Sequence, residues 1–443
     1  MPEKGPSAQG VVAIIIGNML EWFDFSIFAF MTPIISSTFF PVDPKIPGSE
    51  INAILATTAI FGAGFLMRPI GAIVLGLYGD RKGRKAALML VMTLMGLSIA
   101  LMTFAPSYKS VGMLAPVVIL ISRLLQGFSI GGEFGPSTAL LVEVAPAGSK
   151  GIYGSWQMTG QVGAFLLSAA VGALLTTLYT KEQLMAGAWR FAFAIGLIIA
   201  PFAVYIRKRL TEGEEFQALL RARAAAASKS AGIARDLRDN FRRMLLACGM
   251  VTASTVSFWV ALAYLQTFAS KTLKLPIHQA FIVQTVSALM MLVLVPISGF
   301  MSDRLNRKTI LVLSLLGYMV VIYPLYAWLT AAPSLTKLWV VELIVCFFMA
   351  MFIGTYCTVF ALLFPARSRS TSLSLVNNLT VLVVGGFAQF IVTWLIKITG
   401  SPMAPAYYML AGVALGFIAT LFLQNDMIAA PAQTPARASE VRA

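Results

Sequence analysis

Charged side chains are scarce in this sequence, at 12% of 443 residues, whereas a typical soluble domain has roughly 25%. Hydrophobic residues make up 58%. Apolar runs of about twenty residues recur along the chain, and that length crosses a hydrocarbon core ~30 Å thick. Only helices and closed barrels satisfy their backbone polar groups in lipid, and these runs lack the alternation typical of a membrane barrel. The composition therefore predicts an all-α integral membrane protein in contact with lipid.

Histidine, cysteine and catalytic motifs are also scarce. The single histidine, His278, lies at a predicted helix start, and we interpret it as a surface residue. The three cysteines, Cys248, Cys346 and Cys357, lie in apolar stretches without paired spacing. No HExxH, GxSxG or phosphate-loop motif provides a nucleophile with its base or a metal triad. These absences argue against an enzyme, a metal site, a cofactor site and a disulfide framework.

Twelve apolar stretches form two sets of six. We predict spans near 11–36, 51–78, 86–106, 111–143, 152–178, 187–206, 243–269, 277–300, 309–330, 334–363, 371–399 and 403–424. The expected domains are an N-terminal six-helix bundle (1–206), a basic cytoplasmic linker (207–242), a C-terminal six-helix bundle (243–430) and a disordered cytoplasmic tail (431–443). The first apolar run has no small-residue cleavage site, which argues against a cleaved signal peptide.

The net charge of +15 invites a nucleic-acid hypothesis, but its distribution argues for a membrane topology. With the N-terminus inside, 23 of the 33 Lys and Arg residues fall on the cytoplasmic side of the predicted loops. The positive-inside rule accounts for this surplus. We therefore expect both termini in the cytoplasm and no nucleic-acid partner.

An internal repeat links the two sets of spans. The stretch GLYGDRKGRK (76–85) shares G…DR..RK with GFMSDRLNRK (299–308), and each follows the second span of its half. Acids at a helix end close to arginines can form latches between half-bundles. The predicted latch residues are Asp80, Arg81, Arg84, Asp303, Arg304 and Arg307. Parallel six-helix repeats suit a protein that rocks one half against the other around a midplane site, which indicates transport.

Several motifs resemble one family. They are GNMLEWFDF (17–25), GFLMRPIGAIVLGLYGDRKGRK (64–85), SRLLQGFSIGGEFG (122–135), KGIYGSWQ (150–157), WRFAF (189–193) and FPARSRSTSLSLVNN (364–378). With the twelve-span layout they resemble the metabolite/proton symporter family of the major facilitator superfamily, with the citrate carriers as the closest match. The resemblance implies two pseudo-symmetric six-helix bundles, a monomer in the bacterial inner membrane, and proton-coupled import of an organic acid.

Ionisable residues within spans are costly unless they face a cavity or a partner, so each is a functional candidate. On the first span, Glu21 and Asp24 are three residues apart and share a helical face with Asn18. Neighbouring buried carboxyl groups are suited to exchange a proton. We predict that Glu21 or Asp24 carries the proton and that Asn18 contacts substrate, while hydrogen bonding that only anchors the helix is the alternative.

Arg68 lies twelve residues from Asp80, or ~18 Å along a helix, which places it near the membrane midplane. A guanidinium offers bidentate hydrogen bonds to a carboxylate. Arg68 is thus a candidate for binding an organic anion. The alternative is an internal ion pair with Glu21 or Asp24.

The fourth span carries a polar stripe that includes Arg123, Gln126 and Glu133. The RLLQG stretch resembles the fourth-helix motif that the superfamily ties to proton coupling. That resemblance implies a coupling role for Arg123, with Glu133 as a second possible proton carrier and Gln126 at the substrate. The glycines of this span favour close helix packing.

Neutral polar residues complete the predicted site. Tyr153, Gln157 and Gln161 follow a helical spacing on the fifth span. Tyr264, Asn377 and Asn378 are candidates from the seventh and eleventh spans. Since the charges concentrate in the first half, we expect that half to handle protons and carboxylates, and the second half to supply shape and movement.

Other transport functions have less support in the sequence. Uptake of a zwitterionic osmolyte such as betaine or proline is the main alternative, with an arginine on the carboxylate and an acid or an aromatic face on the cation. Arginines on the second and fourth spans disfavour drug export. The duplicated halves with latch-like turns favour alternating access over a continuous pore.

Overall fold

The computed structural model describes residues 8–198, 238 and 240–425, except residues 44, 83, 132, 133, 147 and 367. In the first half, six spans are built from Ala8–Phe30 with Thr32–Phe39, Ser49–Lys82, Arg84–Thr103, Leu114–Ile130 with Phe134–Glu143, Lys150–Leu178, and a helix from 190 to 198. Short helices at Tyr108–Val111 and Lys181–Gln183 and a π-helical turn at Leu184–Ala188 lie between spans.

The second half repeats this plan with interruptions. Its seventh span comprises Phe241–Ser257, a π-helical turn at Phe258–Ala263, Leu265–Thr267 and a second π-helical turn at Phe268–Thr272. The eighth to tenth spans are Ile277–Arg304, Arg307–Ala331 and Leu335–Leu362. The eleventh joins Arg369–Thr380, a π-helical turn at Val381–Gly385 and Ala388–Thr399, and the twelfth is Ala404–Leu421.

The all-α prediction and the twelve predicted spans are confirmed. Nine helical stretches within the described residues are long and apolar enough to cross a membrane. The other three spans are the first, the third, whose apolar part is Met89–Thr103, and the sixth, which is described up to residue 198. The domain boundaries stay predictions, because most of the linker and the whole predicted tail lie outside the described residues.

The two halves pack along paired spans. The fifth span runs beside the eighth and the tenth, and the eleventh span lies against the second and the fourth. We call the face that carries the turns 144–149 and 305–306 the inner face, and the face that carries 40–48 and 273–276 the outer face. The first name follows the predicted cytoplasmic side.

Glycines bring the second and fourth spans into backbone contact. A Cβ on Gly127 would lie 1.7 Å from the carbonyl oxygen of Gly64, and one on Gly71 would lie 1.9 Å from that of Phe128. A Cβ on Gly131 would lie 2.0 Å from the carbonyl oxygen of Arg68. Only glycine allows this approach, as in small-residue interfaces of other membrane helices. The predicted packing role of Gly127 and Gly131 is therefore confirmed, and the same contact fixes the backbone next to Arg68.

Candidate functional site

A buried polar cluster joins the first span to the fourth. One guanidinium nitrogen of Arg123, Nη2, lies 3.5 Å from Oδ2 of Asp24. Gln126 bridges the two, because its Nε2 donates to the same Asp24 oxygen and its Oε1 accepts from Nη1 of Arg123. Asp24 is 1% exposed, and Arg123 and Gln126 are fully buried. All three side chains are therefore turned away from lipid.

The second carboxylate oxygen of Asp24 has a different environment. Oδ1 has no hydrogen-bond partner among the described residues. Gly196 of the sixth span lies close by, and a Cβ added to it would be 3.5 Å from Oδ1. Burying a carboxylate oxygen without a partner is costly, and a proton placed on it would remove its negative charge. Asp24 thus has one oxygen tied to the fourth span and one available for a proton.

An aromatic box surrounds Arg68, which is 3% exposed. Its Cζ lies 4.2 Å from the ring centroid of Phe65, 4.9 Å from that of Phe25 and 5.2 Å from that of Trp22. Such faces stabilise a desolvated guanidinium by cation–π attraction. Trp259 of the seventh span closes the box from the second half, with its ring 5.5 Å from Phe65 and 6.1 Å from Trp22.

Asp24 and Arg68 have different neighbours. Asp24 points into the first half, toward the fourth and sixth spans, while the next residue, Phe25, packs on Arg68 at the interface between the halves. Phe28, one turn further on, places its ring 4.5 Å from Cζ of Arg123. The first span therefore contacts both arginines, and a shift of this span would move both contacts together.

Other predicted residues of the first half take separate positions. Asn18 donates through Nδ2 to the carbonyl oxygen of Gln157 at 3.2 Å, so it faces the fifth span rather than the side of Asp24. Gln157 and Gln161 are buried, while Tyr153 lies one turn from the inner end of its span. Glu133 and the side chain of Glu21 lie outside the described residues.

Tyr264 and Asn377 are buried and Asn378 is partly buried, and the hydrogen bonds described for them do not reach the Asp24 cluster. Tyr264 accepts a hydrogen bond from Oγ1 of Thr393 at 2.9 Å, within the second half. Asn377 is 7% exposed. Asn378 donates through Nδ2 to the carbonyl oxygen of Gly131 at 2.8 Å, so it bridges the eleventh span to the fourth.

At the inner face, Asp303 joins the halves. Its Oδ1 accepts from the backbone N–H of Gly151 at 2.6 Å and its Oδ2 from that of Ile152 at 3.0 Å. Both amides belong to the first turn of the fifth span, where a carboxylate is favoured by the helix dipole. Arg307 also contacts Asp303, at 3.3 Å, whereas Arg304 lies over the ring of Phe300. The side chains of Asp80, Arg81 and Arg84 lie outside the described part of the chain.

Contacts not foreseen from the sequence also connect the halves. At the inner face, Arg369 pairs with Glu143 at 2.8 Å. At the outer face, Lys271 pairs with Glu50, and Nζ of Lys397 donates to Oδ1 of Asn52 at 2.8 Å. Both faces are therefore bridged at once, and between them aromatic side chains of the two halves pack against each other near Arg68.

Comparison with known proteins identifies the family. The family model described as the Major Facilitator Superfamily matches residues 14–387. The chain belongs to the Major Facilitator Superfamily. Its helical arrangement agrees with the crystal structure of a D-xylose-proton symporter, with a TM-score of 0.70, 20% identity and coverage of 94% of this chain and 96% of that one. At that identity the likeness concerns the fold alone.

Curated members of the superfamily resemble the chain over nearly its whole length. The citrate-proton symporter of Klebsiella pneumoniae is 35% identical over 419 residues, covering 95% of this chain and 92% of the relative. A putative proline/betaine transporter of Staphylococcus aureus (strain COL) is 30% identical, with 96% and 89% covered. The glycine betaine/proline/ectoine/pipecolic acid transporter OusA of Dickeya dadantii is 28% identical, with 96% and 84% covered. The chain is thus a multi-pass membrane protein whose relatives are named as transporters.

The aromatic box is the part of this facilitator's site that sequence reasoning missed. A spacing signal was available, because Phe65 and Arg68 are three residues apart on the second span, as are Trp22 and Phe25 on the first. That spacing places each pair on one helical face. It does not indicate that the two faces meet, nor that Trp259 comes from the other half to cover them.

Proposed function

We propose that this protein is a proton-coupled symporter that imports a small organic acid, a di- or tricarboxylate such as citrate or 2-oxoglutarate, by alternating access. The Asp24 carboxylate carries the proposal, since it is buried with one oxygen held by Arg123 and Gln126 and the other without a hydrogen-bond partner among the described residues. The likeness to citrate-proton symporters supports an organic acid as the solute.

In the proposed cycle, a proton binds Asp24 and weakens its ion pair with Arg123. The protonated acid no longer balances the buried guanidinium of Arg123, so Arg123 then favours the binding of an anion. Arg68 supplies the second cation and bidentate recognition of a carboxylate. Protons that travel with the acid offset its negative charge against an inside-negative potential.

Movement between inward-facing and outward-facing states requires the bridges at the two faces to open in turn. Asp303 on the amides of Gly151 and Ile152 is the proposed inner latch. Asp80, Arg81 and Arg84 remain the proposed counterpart in the first half. We also propose that both termini are cytoplasmic, that the protein is a monomer and that it resides in the bacterial inner membrane. Reporter fusions at each end would test the position of the termini, and the mass of the detergent-purified protein would test the monomer.

The proposed substrate class is tested by uptake of labelled citrate, 2-oxoglutarate, betaine and proline into vesicles under an imposed inward pH gradient. We expect a carboxylic acid to accumulate, and a protonophore to abolish the accumulation. Accumulation of betaine or proline without uptake of either acid would reject the organic-acid proposal.

Osmolyte uptake is the second candidate, because the aromatic box favours it. Aromatic cages bind quaternary ammonium groups by cation–π attraction, and Trp22, Phe25, Phe65 and Trp259 gather around one central position. In this alternative, the guanidinium of Arg68 leaves the box and the ammonium group of the zwitterion takes its place, while Arg68 or Arg123 binds the carboxylate. The same uptake panel separates the two candidates, since betaine carries the ammonium group and citrate does not.

A further inference from the structure

The second half contains one buried acid that the proposed cycle does not use. Glu342 lies on the tenth span, seven residues from its outer end at Leu335, and it is fully buried. That position is ~10 Å along the helix, so the outer face is the nearer one. Among the described residues, Glu342 makes no ion pair with a lysine, arginine or histidine.

The hydrogen bonding of Glu342 is weak. Its Oε1 accepts from the Cys346 thiol at 3.3 Å, one turn along the same helix, while its Oε2 has no hydrogen-bond partner in the described part of the chain. The titratable groups that face it from the ninth span are Tyr318 and Tyr326. Tyr318 directs its hydroxyl to the sulfur of Met409 at 3.6 Å. A thiol is a weak donor, and no cation among the described residues pairs with Glu342 to balance a negative charge.

An ionised carboxylate in such surroundings would be too costly to persist. Burial of an isolated charge away from water is so unfavourable that the group takes up a proton instead. We propose that Glu342 is a second proton-binding site, separate from Asp24, and that the second half holds the arrangement seen here with this proton bound. The proposal goes beyond the Asp24 cycle and does not depend on the identity of the substrate.

A proton bound to Glu342 in the folded protein makes the stability of the fold depend on pH. A group that is protonated in the folded protein and ionised in the unfolded chain contributes stability at low pH, and that contribution is lost as the pH rises. Glu342→Gln replaces the protonated acid with a neutral side chain of the same shape, so the variant should lose this dependence.

The test is thermal unfolding of the detergent-purified full chain across a pH series from about 5 to 9, which begins just above the ordinary pKa of a glutamate in an unfolded chain. We expect the melting temperature of the wild type to fall as the pH rises, and Glu342→Gln to lose at least half of that fall. Glu182→Gln, at an exposed acid between spans, is the matched control and should fall as the wild type does. Equal falls in the wild type and Glu342→Gln would overturn the proposal. Failure of Glu342→Gln to fold at neutral pH would also overturn it, because a neutral group would then not suffice.

Discussion

The two halves share a six-span plan but use polar residues differently. In the first half, Asp24, Arg68 and Arg123 lie on α-helical stretches without a π-helical turn, and glycines lock the second span to the fourth. In the second half, the seventh and eleventh spans contain π-helical turns, and the buried polar side chains near them, such as Tyr264 and Thr393, are neutral. Binding sites require rigid support, whereas π-helical turns interrupt the regular α-helix and occur frequently at functional sites.

This difference indicates that the two halves have different roles in transport. Arg68 and Arg123 lie on the two spans of the first half that make backbone contact through glycines. Trp259, which closes the aromatic box, projects from a π-helical turn of the other half. The first half would thus hold the proton and the anion, while the second half opens and closes over them. Variants in the two halves should therefore fail in different ways.

The largest effect should follow from removing the cation in the aromatic box. Arg68→Ala should reduce uptake to background, since no other side chain at this position supplies two parallel donors to a carboxylate. Arg68→Lys keeps the charge without the planar fork and should recover only part of the uptake. The measurement is initial uptake per amount of protein in the membrane.

Arg190→Ala is the matched arginine control. Arg190 is half-buried and donates to the backbone oxygen of Ala105, away from the central box. We expect it to retain most of the uptake. Wild-type uptake by Arg68→Ala would remove the proposed anion site and with it the charged role assigned to the first half.

The next effect tests whether the first half is rigid by close packing. Gly127→Ala would place a Cβ 1.7 Å from a backbone oxygen, so the second and fourth spans would have to separate. Overpacking typically costs about 1–3 kcal/mol, and a clash with backbone should reach the upper end of that range. Gly96→Ala meets nothing within 4 Å and is the control. Thermal unfolding compares the two, and equal melting temperatures would contradict the packing argument.

The smallest effect concerns the inner latch. Asp303→Asn keeps the shape of the side chain but removes the charge that accepts from two amides at a helix N-terminus. We expect a loss of about 1–2 kcal/mol, which corresponds to roughly 5–30-fold in the balance between closed and open inner faces. Labelling of single cysteines placed along the inner ends of the fifth and eighth spans measures this balance. Unchanged labelling would show that Asp303 does not hold the halves together.

The sequence predicted the spans well, because each depends on a local run of apolar residues whose length is fixed by the bilayer. The internal repeat located Asp303 at a helix end for the same local reason. The sequence predicted arginine partners for Asp303. In the structure, Asp303 also accepts hydrogen bonds from two backbone amides at the start of the fifth span, which belongs to the other half. Contacts between distant segments are not encoded in the spacing within one span.

The residues predicted for the site do not form one cluster, because contacts between distant segments cannot be read from the spacing within one span. A helical wheel assigns Asn18 and Asp24 to one side of the first span, but a packed helix touches neighbours on several sides, and the two residues contact the fifth and fourth spans respectively. Conversely, composition alone marked Asp24, Arg68 and Arg123 as candidates, because charges within apolar spans are costly and few. The aromatic box required the arrangement of both halves.

Coupling through Asp24 is the central claim, and Asp24→Asn tests it most directly when two assays are run on the same vesicles. One assay is accumulation of the transported acid under a pH gradient, and the other is counterflow without a gradient, with Asp43→Asn in the outer loop as the control. We expect Asp24→Asn to keep counterflow but to lose accumulation above equilibrium, and Asp43→Asn to keep both. Undiminished accumulation by Asp24→Asn would contradict the account.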